Sequence, residues 1–303
     1  MYAVGAPGPA ARPGTGQLRI RAAARRAFPG PPAIAARPDH RPHLQEYLSD
    51  LVRPYRLTLR EEPGGSDVDS GHSYGEMAAA LIGELVGQQE PVGVVVLAFA
   101  IPDVRPGRAT ATYLGELCPG DPLAFAVCDQ GAAAAHTGLR LAGEYARSGD
   151  CRRALLLVVE QSGLPYDTGL PMDAPAGHRA VGLRCEPAGP AVVRGVRQHA
   201  DVAPGRAAEL LAGALAEAVA SRGGSGEVCL IADGRLAGEL AAATIAGRVR
   251  VIPTGRSPTA GWWELAGVLA GPAGPAGQRL ILASYDRQVR YLSVSTIDVE
   301  AGQ

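Results

Sequence analysis

The segment LAFAVCDQGAAAAHTG, residues 123–138, sets a thiol, a carboxylate and a carboxamide side by side as Cys128, Asp129 and Gln130. They stand where a buried-strand run gives way to an alanine-rich helix. At so sharp a strand-to-helix elbow a side chain projects beyond the sheet, beside the free N–H groups and positive dipole end of a helix, which favour a thiolate or an oxyanion. Gly131 and the alanines after it let that helix approach closely. The plainer reading of the same residues is an ordinary βα turn with Cys128 as an apolar filler.

Other reactive types are weighed in the same way. His136, in the helix after the elbow, could reach a pocket or a subunit interface, or simply be a helix histidine satisfied by a backbone carbonyl. His72 lies in GHSYGE, where Ser73 can cap a helix and Glu76 complete a capping box. Asp167 and Asp173 are separated by Gly and Pro, so a turn explains them better than a carboxylate pair. Trp262 and Trp263 open a helix, where one could line an acyl pocket, or one could simply pack and the other lie exposed. Arg256 could meet a partner's acid or a carrier-protein phosphate.

Composition removes whole chemistries. The 303 residues contain no lysine and no asparagine, so all 29 basic residues are arginine. A Schiff-base lysine, a P-loop lysine, an S-x-x-K acyl-enzyme and a Cys-His-Asn triad are therefore excluded. Five scattered cysteines without a C-x-x-C pair suggest neither a metal site nor a disulfide framework, and no cofactor is expected. A net charge of −1 gives no general drive toward nucleic acid or anionic membrane. The longest apolar run, Val92 to Ile101, is too short to span a bilayer, and a soluble, cytoplasmic protein is expected. Residues 1–38, rich in Gly, Pro and Arg and without an acid, read as a flexible arm.

The elements that must position these groups follow from periodicity. Met77, Leu81 and Leu85 predict a helix, followed by a buried strand at 93–101, a short helix around 109–117, a strand at 123–127, a long helix from about 131 to 147, and a strand at 154–160. The pattern then repeats. Leu211, Leu215 and Val219 share a helical face, and strands are predicted at 227–233 and 248–253, a helix from about 261, and strands at 278–284 and 289–295. Buried strands alternating with helices imply mainly parallel sheet, and the repetition implies two similar halves, 39–187 and 188–303.

The block from about Tyr74 to Gln161 resembles the N-terminal half of a thiolase-fold β-ketoacyl synthase, and PYDTGLPMDAPAGHRAVGLRCEPAGPAVVRGV resembles the connection between its halves. The stretch VIPTGRSPTAGWWELAGVLAG is similar to a turn of chain-length factors, the inactive partner subunits of type II polyketide ketosynthases. This resemblance implies an α/β, thiolase-like fold: two pseudo-repeated βαβαβ halves in an α-β-α-β-α layering. It places the family's nucleophile at Gly131 or Ala132, one or two residues from Gln130, and its other catalytic groups at Asp233 and around Ser257, none of them the family's residue. What it implies is a non-catalytic subunit that pairs with an active ketosynthase, meets an acyl carrier protein, and shapes an acyl tunnel with Phe99, His136, Arg256, Trp262 and Trp263. The alternative is an acyltransferase or condensing enzyme using Cys128, with His136 or Asp233, on acyl-CoA or acyl carrier protein substrates.

Overall fold

The computed structural model describes residues 17–29, 39–59, 72–103, 109–149, 151–161, 166–167, 177–221, 227–240, 249–255, 257–271 and 277–300. The strands are β1 (Arg19–Ala27), β2 (Thr58–Leu59), β3 (Val94–Ala98), β4 (Leu123–Val127), β5 (Ala154–Glu160), β6 (Tyr166–Asp167), β7 (Arg179–Glu186), β8 (Ala191–His199), β9 (Val228–Asp233), β10 (Val249–Thr254), β11 (Arg279–Asp286) and β12 (Tyr291–Val299). The helices are α1 (His40–Val52), α2 (Tyr74–Leu85), α3 (Thr110–Leu117), α4 (Ala134–Ser148), α5 (Pro204–Ala220), α6 (Gly234–Gly238) and α7 (Ala260–Ala270).

The ten long strands form one sheet system in the order β10-β9-β11-β12-β8-β1-β7-β5-β3-β4. Its middle joint is slight, because β1 meets β8 only through Arg19 with Val192 and Ile20 with Ala191. On each side of that joint the topology is the same. Numbering the main strands of each half in chain order gives 3-2-4-5-1, with strand 5 (β7 or β12) antiparallel to both of its neighbours. Strands 2, 3 and 4 are parallel in both halves.

Period-two alternation divides the core into layers. Val94, Val96 and Ala98 of β3, with Ala154, Leu156 and Val158 of β5, face a central core, while Val95, Leu97, Leu155, Leu157 and Val159 face the opposite way. In the second half Cys229 and Ile231 face the centre, and Val228, Leu230 and Ala232 face outward. Helices α4 and α7 fill the central layer and touch strands of both halves; α2 and α3 cover one outer face and α5 and α6 the other. Strands covered on both faces must be apolar on both, which is why these runs lack polar alternation.

One expectation is corrected here. Residues 19–27, assigned to the arm on composition, form β1, paired with β7 from Arg19 opposite Glu186 to Ala27 opposite Arg179. Ile20 and Leu18 are buried, while the arginines keep their charged ends out: Arg19 pairs with Glu300, and Arg25 lies over the Trp263 ring at 5.0 Å. The capping box at α2 forms as read, with Ser73 Oγ accepting from Glu76 N and Glu76 Oε2 accepting from Ser73 N.

Candidate functional site

The elbow after β4 is a tight, partly left-handed turn. Asp129 sits at φ +60 and Gly131 at φ +51, before a short 3-10 turn, Gly131–Ala133, that leads into α4. By strand alternation Val127 faces the central core, so Cys128 faces the other way. There it lines a cavity of about 550 Å³ bounded by Tyr47, Tyr74, Phe99, Phe125, Asp103 and Asp129, with smaller, mostly apolar side chains between them. The cavity thus lies on the side of β4 away from the central core.

Cys128 is half-buried, while the other four cysteines are buried. Its Sγ donates to Asp129 Oδ2 at 3.2 Å. Burial, and then the hydrogen bond to Asp129 and its negative charge, push the thiol up to about 11. The same acidic surroundings act on their neighbours. Burial and the Asp103 carboxylate raise Tyr47, and burial together with Asp103, Glu160 and Tyr166 puts Tyr74 well above its ordinary value. Tyr74 is fixed by a bond from its hydroxyl to Ile101 O, and its ring packs on Phe99 at 5.1 Å.

His136 is not among the residues lining this cavity. It is buried in the central layer, with Nδ1 2.8 Å from Ser295 Oγ, Nε2 3.0 Å from Ser284 Oγ, and its ring edge-on to Trp262 at 4.9 Å. Burial pushes its pKa down to about 3, so it stays neutral. The pairing of Cys128 with His136 is therefore corrected: opposite faces of β4 separate them, and both imidazole nitrogens are engaged by serines. Asp233 serves as the N-cap of α6, accepting from Arg235 N and Leu236 N. Gln130 Oε1 accepts from Thr137 Oγ1, which in turn accepts from Gln198 Nε2.

The position that the resemblance assigns to a nucleophile is filled from the other half. Asp286, the last residue of β11, places Oδ2 3.1 Å from Ala132 N, while its Oδ1 accepts from Gln288 N and Val289 N. A Cβ built on Gly131 would lie 1.8 Å from Asp286 Oδ2, so only glycine fits beside that carboxylate. Ser257 lies at the matching elbow of the second half, where its Oγ donates to Glu160 Oε1 at 3.1 Å and Thr259 N donates to Glu160 Oε2 at 3.0 Å. Trp262 is fully buried, and Trp263 is flanked by the guanidinium groups of Arg25 and Arg179. Phe99 is the expected tunnel residue that shares the Cys128 cavity. Asp167 lies in β6, opposite Thr58 of β2. Arg256 and Asp173 lie outside the described residues.

Glu160 and Asp286 were missed by reasoning from sequence. A signal was present, since each is an acid ending an apolar run, ALLLVVE and LILASYD, at equivalent places in the repeat.

No protein-family model matches the sequence, and no curated protein matches it. Solved structures do. The chain is similar to the acyltransferase ChlB3, with 15% identity and TM-score 0.60 over 94% of this chain and 98% of that one. It is similar to AbyA1, a tetronic acid condensing enzyme, with 17% identity and TM-score 0.60 over 92% and 99%. It is also similar to 3-oxoacyl-(acyl carrier protein) synthase III, FabH, from Pseudomonas aeruginosa PAO1, with 15% identity and TM-score 0.59 over 94% and 99%. The fold is thiolase-like. These three structures are named as an acyltransferase, a condensing enzyme and a synthase, and none of the three is named as a chain-length factor. Among the described residues no group of three His, Cys, Asp or Glu could hold a metal ion, and no helix is long and apolar enough to cross a membrane.

Proposed function

We propose that this protein transfers acyl groups from thioesters, with Cys128 as the acyl acceptor and the adjoining cavity as the acyl site. The observation that carries this reading is the placement of the one half-buried thiol at an aromatic-lined cavity of about 550 Å³. A cavity of that volume suits a short or medium acyl chain. In the step proposed, the Cys128 thiol loses its proton to solvent and the thiolate attacks the thioester carbonyl. The carbonyl–sulfur bond of the donor breaks, and the departing thiolate takes a proton from water. The products are acyl-Cys128 and the free donor thiol. The likeness to an acyltransferase and to condensing enzymes supports the class of chemistry.

A second reading is the non-catalytic partner of an active ketosynthase, meeting an acyl carrier protein. The observation favouring it is the closed elbow, where Asp286 occupies the space of a nucleophile at Gly131. Incubation with hexanoyl-CoA followed by intact-mass measurement separates the two. A hexanoyl adduct on the wild type that is lost in Cys128→Ser supports acyl transfer. No adduct on the wild type up to pH 9, together with a stable complex with a ketosynthase on size exclusion, supports the second reading.

A further inference from the structure

The two halves close each other's elbows by the same device. Strand 4 of the first half, β5, ends at Glu160, and strand 4 of the second, β11, ends at Asp286. Glu160 accepts from Thr259 N, five residues past the end of β10 at Thr254; Asp286 accepts from Ala132 N, five residues past the end of β4 at Val127. Strands β4 and β10 are both strand 3 of their half. The two contacts are thus equivalent under the internal repeat, and each runs from one half to the other.

The environment of each carboxylate agrees with a seated ligand. Glu160 is buried and also receives the Ser257 hydroxyl, while burial raises its pKa. Asp286 is held by its own turn through Gln288 N and Val289 N, which leaves Oδ2 aimed at the elbow. Gly131, at φ +51, leaves the room that Oδ2 occupies. An amide at the start of a helix is where a developing oxyanion would otherwise be stabilised.

We propose that Asp286 and Glu160 are reciprocal built-in blocking groups, each filling the elbow of the opposite half, and that withdrawing Asp286 opens the first elbow to a small carboxylate or an acyl oxyanion. The inference is independent of acyl transfer by Cys128, because its contacts lie on the central side of β4 and its test is made without that thiol.

The test introduces a reporter thiol, Ala132→Cys, in a Cys128→Ser background, with and without Asp286→Ala, and follows iodoacetamide alkylation at pH 7.5 by intact mass. Removal of Asp286 is expected to speed alkylation at least tenfold, and 0.1 M acetate to slow the opened variant at least twofold. Rates within twofold of each other with and without Asp286, or an opened variant indifferent to acetate, would overturn the proposal. Should Asp286→Ala fail to fold, Asp286→Asn keeps the acceptor for Gln288 N and Val289 N. In that variant amide hydrogen exchange at Ala132 is expected to rise at least fivefold, and unchanged exchange would count against the blocking role.

Discussion

Replacing Asp129 by asparagine should make Cys128 more reactive, although it removes the group nearest to the sulfur. Asp129 lies in the left-handed region at φ +60, which asparagine tolerates as well as aspartate, so the turn should survive. The carboxylate accepts the Sγ–H bond at 3.2 Å, and burial with this contact holds the thiol at about 11. At pH 8 that leaves about one molecule in a thousand as thiolate, since each unit of pKa is a factor of ten. A bond to a charged acceptor contributes roughly 1.5–3 kcal/mol when shielded and less at an exposed carboxylate such as this one. A fall of about one unit is therefore expected, because one unit corresponds to about 1.4 kcal/mol. Iodoacetamide modification, corrected with Cys128→Ser, should run about tenfold faster in Asp129→Asn than in the wild type at pH 8. In both proteins the rate should climb about tenfold per pH unit until the thiol titrates. An unchanged rate, or a wild-type rate already level below pH 9, would refute the reasoning.

Three further outcomes follow from the same structure. Because burial puts His136 near 3, below its unfolded value of about 6.5, the stability it contributes is complete above pH 6.5 and is lost as pH falls toward 3. Urea unfolding at pH 7, 6 and 5 should show a decline of up to about 1.4 kcal/mol per unit from this group, flattened in His136→Gln. Gly131→Ala should cost at least about 2 kcal/mol, from left-handed strain and the clash with Asp286, and adding Asp286→Ala should return part of that loss in thermal unfolding. Arg25→Ala should cost about 1–2 kcal/mol, since this guanidinium lies over Trp263 and donates to Trp263 O at 2.8 Å. Arg25→Lys should recover less than half of it, because an ammonium lacks the planar fork.

How much of this was legible in the sequence depends on whether the cause was local. Strands 123–127 and 154–160 were read with their observed bounds, because each is an unbroken apolar run closed by turn residues, although only the second is buried on both faces and the first is a half-exposed edge strand. The Ser73–Glu76 cap was legible because its partners are three residues apart. β1 was not, since RIRAAARRA hides a strand among arginines whose stems lie over neighbours while their charges reach Glu300, Trp263 or solvent. At the site, the strand-to-helix elbow that carries Cys128 was legible, but what surrounds the thiol was not. Tyr47, Tyr74 and Asp103 reach the cavity from α1, α2 and the loop after β3, and Asp286 reaches the elbow from 155 residues along the chain in Gly131→Asp286 order. The ion network of Glu90, Arg153, Arg184 and Glu186 was equally invisible, because the Arg184 and Glu186 pair on β7 meets Glu90 and Arg153 from distant turns.

The most direct measurement is the location of the acyl group after reaction. The protein is incubated with hexanoyl-CoA at pH 9, digested, and its peptides sequenced by mass spectrometry. Hexanoyl carried on Cys128, absent from the Cys128→Ser protein, is the predicted result. Hexanoyl on any other residue, or an unmodified Cys128 after prolonged incubation, would contradict the assignment of acyl chemistry to the outer cavity.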